Sequence, residues 1–338
     1  MKTPTCVKML CALAMVGFSA IAYAKPPLGI VIHGGAGTIS RDSMTPAQEQ
    51  AYHAMLTHAV NQGYSILERG GSSLDAVTAA VTVLEDSPLF NAGKGAVYTF
   101  DETHELDASI MDGRNRAAGA VAGVTNVKNP ILLARAVMEK SVHVMLSGKG
   151  AEQFAKEQQL ELVDNNYFNT EFRYEALKRA KQALAPQPHQ AALPYDPAWK
   201  MGTVGAVAID RNGNLAAATS TGGMTAKRYG RIGDAPIIGA GNFADNSSCA
   251  VSATGHGEFF IRYQVASDIC ARVKYQKIPA ATAAKQVLAE LKQVGGDGGV
   301  IVVDNKGQLS WTFNTEGMYR ALKAEGGEVI SEIFASSN

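Results

Sequence analysis

Hydrophobic residues recur at helical spacing in two segments of the first half of the chain, and a third helix is predicted after Pro130. The first segment begins at Thr45, where Thr-Pro-Ala-Gln supplies an N-cap, a proline at the first helical position and a glutamine at the third. The second begins at Ser72. Apolar runs predict strands in the same half. They cover residues 28–33, 96–100, 108–111 and 117–124.

The second half repeats this mixture after a segment of different composition. The composition changes over residues 159–200, where PQPHQAALPYDPAWK contains four prolines in fifteen residues and no apolar periodicity, so we expect a mobile connector there. The predicted strands are expected to form two sheets, and helices must cover them. This favours an α/β fold of the α+β type, a four-layer αββα sandwich. The predicted strands are 204–209, 215–220, 237–239, 250–253, 300–303 and 309–313, and the predicted helices are 258–274 and 280–294.

The first 24 residues have the pattern of a cleaved export signal. Lys2 and Lys8 precede an apolar stretch that ends in the small-x-small sequence Ala-Tyr-Ala at 22–24. The stretch is shorter than the ~20 residues that span a bilayer. We therefore expect an exported protein, periplasmic if the source is a Gram-negative bacterium. Its mature chain would start near Lys25 and have no membrane contact.

Composition favours a small-molecule substrate. The chain has 31 basic and 31 acidic residues and no basic stripe, which argues against a nucleic-acid partner. Its 34 glycines cluster between predicted strands, as expected where backbone approaches a ligand. The clusters are HGGAG, TGGM, GAGN, TGHGE and GGDGG.

The cysteines and histidines give no sign of a metal centre. Removal of the leader leaves Cys249 and Cys270, both in apolar settings, where we expect buried free thiols rather than a bridge. The histidines show no spacing characteristic of zinc. Those considered are His33, His53, His104, His143, His189 and His256.

The strand predicted at 204–209 directly follows Thr203, in KMGTVGAV. A Gly-Thr pair alone is typical of a turn that leads into a strand. At the end of a connector, however, the Thr203 hydroxyl could attack the carbonyl of Gly202, shift the acyl group from nitrogen to oxygen and, after ester hydrolysis, leave a new N-terminus. The freed α-amine, with an ordinary pKa of ~7.7–8.0, would then act as the base for the hydroxyl.

Seven segments, taken together, resemble the plant-type L-asparaginases, or isoaspartyl peptidases, of the N-terminal-nucleophile hydrolase superfamily. They are HGGAG, LEDSPLFNAGKGAV, ELDASIMDG, GTVGAV, TSTGGMT, GRIGDAPIIGAG and TGHGE. The resemblance runs over essentially the whole mature chain. It implies an α subunit of residues 25–202 and a β subunit of residues 203–338 that form one composite domain, in an (αβ)2 assembly. The implied reaction is hydrolysis of isoaspartyl dipeptides or L-asparagine through a β-aspartyl ester.

The resemblance also assigns the reacting groups. Thr203 becomes the nucleophile, Thr221 orients its oxygen, and Asn91 lies nearby. Thr254 and Gly255 form the oxyanion hole, with a hydroxyl and a backbone N–H as donors.

Substrate recognition is assigned to residues 231–234 and to the TGHGE segment. Arg231 would bind the substrate's α-carboxylate and Asp234 its α-ammonium, with Ile232 and Gly233 between them. Gly257 would present its carbonyl to the substrate amine. His256 would be a loop residue beside the substrate rather than a base, because the α-amine already fills that role.

A structural sodium ion is implied for the loop after the second helix, held by main-chain oxygens. The residues concerned are Leu84, Glu85, Ser87, Phe90, Ala92 and Lys94. No cofactor is expected for catalysis.

Two alternatives stay open. An aspartylglucosaminidase, which cleaves N4-(β-N-acetylglucosaminyl)-L-asparagine, shares the nucleophile and fold, although HGGAG and TSTGGMT favour the asparaginase branch. A non-catalytic periplasmic amino-acid-binding protein could use Arg231 and Asp234 without turnover. It would keep an intact chain and release no product.

Overall fold

The structure, a computed structural model, describes residues 27–184 and 202–335. None of the helices in these residues is long and apolar enough to cross a bilayer. The helices are α1 (Pro46–Glu68), α2 (Ser73–Asp86), α3 (Pro130–Lys140), α4 (Gly148–Glu157), α5 (Glu171–Ala183), α6 (Gly257–Tyr263), α7 (Val265–Ala271) and α8 (Ala280–Gln293). The strands are β1 (Gly29–Gly37), β2 (Leu106–Asp112), β3 (Ala118–Val124), β4 (Met145–Ser147), β5 (Val204–Ile209), β6 (Leu215–Thr221), β7 (Asn242–Ala244), β8 (Cys249–Gly255), β9 (Gly298–Asp304), β10 (Leu309–Phe313), β11 (Gly317–Ala324) and β12 (Ile330–Phe334).

The strands form two sheets that pack face to face. The larger sheet has the order β12-β11-β1-β5-β6-β2-β3-β4, and the smaller has the order β10-β9-β8-β7. Helices α1 to α3 cover the outer face of the larger sheet, and α7 and α8 cover that of the smaller. This confirms the predicted αββα sandwich. The apolar layer between the sheets includes Val31, Val207, Ala217, Ala250, Ile301 and Val303.

The N-caps read from the sequence are present. The Thr45 hydroxyl accepts from the Gln48 amide, while the Gln48 side chain accepts from the Thr45 amide at 2.9 Å. The Ser72 hydroxyl accepts from the Asp75 amide at 3.1 Å. These contacts satisfy amides that have no partner inside the helix.

Strand β5 lies in the middle of the larger sheet and alternates between its two faces. Val204 and Ala206 pack toward the helices, whereas Val207 and Ile209 pack between the sheets. The two-residue period places Thr203 on the side that faces the smaller sheet. The residue before β5 therefore lies at the edge of the layer between the sheets.

Several predicted elements differ from the structure. Residues 96–100 form no strand, because Phe100 N and Tyr98 O bond to the 226–227 loop instead. Residues 237–239 form a turn with an isolated bridge, and the strand begins at Asn242. The helix predicted at 258–274 is interrupted at Gln264, whose φ of 49° is left-handed.

The predicted connector at 159–200 is wrong for its first part. Helix α5 lies within it, and the Thr170 hydroxyl caps that helix by accepting from the Arg173 amide. A buried Leu177 anchors the helix through a cluster with Tyr98. Residues 185–200 lie outside the described residues.

Cys249 and Cys270 are bonded, contrary to the expected free thiols. Cys249 on β8 and Cys270 on α7 form a disulfide with their Cα atoms 5.3 Å apart. Helix α7 packs directly on β8, which brings residues 21 positions apart within bonding distance. The pair is consistent with an oxidising compartment.

Candidate active site

The antiparallel register of β5 and β6 brings two threonine hydroxyls together. Val204 pairs with Ser220, so Thr203 and Thr221 lie opposite each other at the next position. The Thr203 hydroxyl donates to Thr221 Oγ1 at 3.2 Å, and the Gly223 amide donates to the same oxygen at 3.0 Å. Thr221 is thus held where it can orient the Thr203 oxygen.

Gly202 packs closely against Gly35 and Asn91, which leave no room for a side chain at its position. Its φ is +117°, and a Cβ at this position would be 2.6 Å from Asn91 Cβ. On its other side, a Cβ at Gly35 would be 2.5 Å from Gly202 Cα. Both contacts are far closer than real Cβ atoms show, so these positions require glycine.

His33, considered above only as a metal ligand, positions the Thr203 backbone. Its Nδ1 lies 3.0 Å from Thr203 O, and its Nε2 lies 2.9 Å from Ser252 Oγ. Because the carbonyl can only accept, Nδ1 donates and Nε2 accepts from the Ser252 hydroxyl. Burial lowers the pKa of His33 to about 3, so this ring is neutral and has one fixed tautomer. The signal that could have revealed it is its place at the start of HGGAG.

Asn91 ties the loop after α2 to the loop after β6. Its Oδ1 accepts from the Val97 amide at 2.9 Å, and its Nδ2 donates to Gly223 O at 2.7 Å. The Gly222 amide donates to Asn91 O at 3.1 Å. Asn91 therefore fixes the segment that directly follows Thr221.

A small polar pocket, called the aspartyl pocket because Asp234 forms part of its wall, opens beside the two threonines. It is formed by the residue that precedes β5, the end of β6, the 222–234 loop and the end of β8. Its lining residues are Thr203, Thr221, Gly223, Met224, Arg231, Gly233, Asp234 and Gly255.

Asp234 supplies the acidic wall of the aspartyl pocket. Its carboxyl is buried, and its Oδ2 has no hydrogen-bond partner among the described residues. Burial raises the pKa of Asp234 to about 7, against the opposing effect of nearby Arg231. The backbone packs closely, since a Cβ at Gly257 would be 3.0 Å from Asp234 Oδ1. A carboxylate with an open oxygen in such a site is suited to an ammonium group.

Arg231 forms a bidentate ion pair that the sequence does not reveal. Its Nε and Nη2 donate to the two oxygens of Glu258, both at 2.9 Å. The pair uses two of the five N–H donors and fixes the plane of the guanidinium. His256 Nε2 lies 3.7 Å from the same carboxylate, so His256 faces Glu258. Ile232 is 40% exposed and does not line the aspartyl pocket.

Thr254 and Gly255 end strand β8, where Gly255 lines the aspartyl pocket and Thr254 lies directly before it. The Thr254 side chain is fully buried, and its Oγ1 has no hydrogen-bond partner in the part of the chain that the structure describes. Gly255 has a φ of +146°, and a Cβ there would be 2.4 Å from Asp297 O. A buried hydroxyl donor of this kind is suited to a charge that appears during the reaction.

A charged layer lies behind Thr221 and was not predicted. Asp107 on β2 pairs in register with Thr221, is fully buried, and has its pKa raised by that burial. The Lys227 ammonium, also buried, lies 3.3 Å from Glu105 Oε2. The charges of Lys227 and Glu105 act on Asp107. Glu105 and Asp107 stand in the ELDASIMDG segment, but the resemblance gave them no role.

Two carbonyl oxygens lie close to glycine backbone in the loop where a sodium ion was expected. A Cβ at Gly95 would lie 2.1 Å from Phe90 O, and one at Gly93 would lie 2.3 Å from Glu85 O. Leu84 O, Phe90 O and Ala92 O each accept one backbone amide, which leaves each carbonyl a second lone pair. Lys94 Nζ points to Tyr167 O. Main-chain oxygens with a spare lone pair are the kind of donor that a hard cation takes.

The site combines a threonine at the start of a central strand, a second threonine on its oxygen and a facing polar pocket. This combination is typical of a hydrolase of the N-terminal-nucleophile class. The asparaginase family model matches residues 26–331, and the chain belongs to this family. This confirms the resemblance predicted from the seven motifs.

Curated relatives cover nearly the whole chain. It is 54% identical over 306 residues to the isoaspartyl peptidase of Escherichia coli K12, covering 90% of this chain and 95% of that protein. It is 53% identical to the isoaspartyl peptidase of Salmonella typhimurium, with coverages of 90% and 98%. It is 44% identical to the isoaspartyl peptidase/L-asparaginase of Xenopus laevis, with coverages of 86% and 90%.

Proposed function

We propose that this chain is an isoaspartyl peptidase with L-asparaginase activity, activated by self-cleavage between Gly202 and Thr203. The observation that carries the proposal is the Thr203 hydroxyl on Thr221 Oγ1, in a pocket whose other wall holds Arg231 and Asp234. A nucleophile and an amino-acid recognition pair in one small pocket suit a substrate with an aspartyl head.

Self-cleavage begins from the continuous chain. The Thr203 hydroxyl attacks the Gly202 carbonyl, its C–N bond breaks, and water hydrolyses the resulting ester to a Gly202 carboxylate and a free Thr203 amine. The positive φ of Gly202 and its close packing against Asn91 require glycine at this position, and the missing Cβ leaves the carbonyl open to attack. His33 holds the Thr203 carbonyl throughout.

In the mature enzyme, the Thr203 amine takes the hydroxyl proton while Oγ1 attacks the side-chain carbonyl of the bound aspartyl group. Arg231 binds the α-carboxylate of this group and Asp234 its α-ammonium. Thr254 and Gly255 donate to the oxyanion. The amine then returns the proton to the leaving nitrogen, and water hydrolyses the β-aspartyl ester to release aspartate.

The leader, the assembly and the cation belong to the same proposal. The leader sequence supports export, to the periplasm in a Gram-negative source, and the disulfide fits an oxidising compartment. The family resemblance supports an (αβ)2 assembly, which light scattering of the cleaved protein would check. The family resemblance and the spare lone pairs of the main-chain oxygens in residues 84–94 support a structural sodium ion. This ion would hold the loop that carries Asn91 and take no part in proton transfer.

A substrate panel tests the proposed activity. Purified, self-cleaved protein should release aspartate from an isoaspartyl dipeptide and ammonia from L-asparagine. Turnover of a glycosylated asparagine alone would instead indicate an aspartylglucosaminidase. Binding of aspartate without turnover of any of the three compounds would indicate a binding protein.

A further inference from the structure

A second cavity lies on the other side of Gly202 from the aspartyl pocket. This Gly202 cavity has a volume of about 360 Å³ and is lined by Gly202, Asn91, Gly34, Tyr52, Arg173 and Tyr319, among others. Its volume falls within the ~300–1,000 Å³ of small-molecule sites. Thr203 does not line it, so in the continuous chain Gly202 stands between the two spaces.

The Gly202 cavity contains a buried cation without an anionic partner. Arg173 on α5 is 6% exposed, and its Nε donates to Gly95 O at 2.9 Å. Within residues 27–184 and 202–335, no carboxylate pairs with it. Tyr52 and Tyr319 are the titratable groups that interact with its charge. Buried charges in proteins are ordinarily paired, so this guanidinium marks a place for an anion.

The rest of the cavity wall is largely apolar and aromatic. The rings of Tyr52 and Tyr319 stack with their centroids 4.2 Å apart, and Phe90 meets both rings edge-on. Leu89 and Ile39 add aliphatic surface. A ligand that fits this wall combines one carboxylate with an apolar group, as a C-terminal amino-acid residue does.

The geometry of proton transfer directs such a residue into the Gly202 cavity. The leaving nitrogen must receive its proton from the Thr203 amine, so the leaving group lies on the side of Thr203 N. That is the side on which Gly202 is attached before cleavage. With the aspartyl head in the aspartyl pocket, the leaving residue then points toward Asn91 and Arg173.

We propose that the Gly202 cavity binds the leaving residue of an isoaspartyl dipeptide, with its terminal carboxylate on Arg173 and an apolar side chain on the Tyr52, Phe90 and Tyr319 rings. The proposal rests on the proposed function and deepens it. When the β-amide C–N bond breaks and the Thr203 Oγ1–carbon bond forms, the departing amino acid stays paired with Arg173 until it dissociates. L-asparagine releases ammonia and makes no such contact, so dipeptides with apolar leaving residues should be the better substrates.

Kinetics of self-cleaved protein test this inference with three substrates: β-aspartyl-leucine, its C-terminal amide, and L-asparagine. The wild type should prefer the free acid to the amide about 10- to 100-fold in kcat/KM, as expected for a charge-assisted contact. Arg173→Gln should lose most of that preference, mainly through KM, and Arg173→Lys should recover part of it. In Arg173→Gln, kcat/KM for L-asparagine should fall by less than about threefold. Arg179→Gln, on the exposed face of the same helix, is the matched control.

Several outcomes would overturn the proposal. Equal wild-type kcat/KM for the free acid and the amide would do so without any variant. Equal losses for β-aspartyl-leucine and L-asparagine in Arg173→Gln would reduce Arg173 to a structural support. If Arg173→Gln slows self-cleavage but leaves mature kinetics unchanged, the anion is the new Gly202 carboxylate and not a substrate. Failure of the wild type on all three substrates would instead contradict the proposed function.

Discussion

Replacing Asp234 by asparagine removes the negative charge of the aspartyl pocket while it nearly preserves the shape of the side chain. A charge-assisted hydrogen bond contributes about 1.5–3 kcal/mol. Since ~1.4 kcal/mol corresponds to a factor of ten, kcat/KM for an isoaspartyl dipeptide should fall about 10- to 100-fold at pH 8. The loss should appear mainly in KM, because the substrate ammonium is bound in both the ground state and the transition state.

The pH profile gives a sharper version of the same test. Burial raises the pKa of Asp234 to about 7, and only the ionised form attracts an ammonium. Its ionised fraction therefore falls from about nine-tenths at pH 8 to about one-tenth at pH 6, which costs the wild type about tenfold in kcat/KM. Protonation of the Thr203 amine acts in the same direction. Asp234→Asn lacks the titration of Asp234 but keeps that of the Thr203 amine. Its kcat/KM should therefore fall less steeply between pH 8 and pH 6.

Stability separates this effect from misfolding. The pKa of Asp234 rises from 3.8 to about 7 on folding, so its ionisation favours the unfolded chain. The stability that the neutral carboxyl contributes is complete below pH 3.8 and is lost as the pH rises toward 7. At pH 8, Asp234→Asn should have a Tm equal to or above that of the wild type. Parallel pH profiles for the two proteins, with unchanged KM, would refute the role given to Asp234.

Two further predictions concern the nucleophile and the disulfide. Thr221→Val should lower kcat about 5- to 150-fold, because Oγ1 accepts from both Thr203 and Gly223 and each bond is worth ~0.5–1.5 kcal/mol. Thr221→Ser should retain most activity, and wild-type kcat in the valine variant would remove Thr221 from the mechanism. Cys270→Ala should lower the free energy of unfolding by about 3 kcal/mol, as expected for release of a loop of this length. Denaturant melts of the oxidised wild type, the reduced wild type and the variant measure it, and coincident melts would contradict the prediction.

Local sequence patterns predicted the parts of the fold that depend on local physics. Strand β5 alternates between two apolar layers, so its predicted bounds match the observed Val204–Ile209. The α1 cap is likewise a contact between residues three apart. The segment 96–100 has the same apolar character but bonds to the 226–227 loop, which lies far away in the sequence.

The site was predictable where a motif carries it and not where tertiary packing creates it. Thr203 and Thr221 stand in recognisable segments, and the strand register brings them together. Arg173 lies in a segment that reads as a connector, and its importance comes from a cavity formed by distant elements. The disulfide depends on α7 packing against β8, which spacing alone does not indicate.

The central claim is that Thr203 both cuts the chain and performs catalysis. Mass spectrometry of the wild type, Thr203→Ala and Thr203→Ser, together with an assay of aspartate release, tests it most directly. The wild type should give two chains that separate between Gly202 and Thr203 and should release aspartate. Thr203→Ser keeps the oxygen and should retain some cleavage and turnover, whereas Thr203→Ala should remain one uncut chain with no release. Two chains and sustained aspartate release in Thr203→Ala would contradict the account.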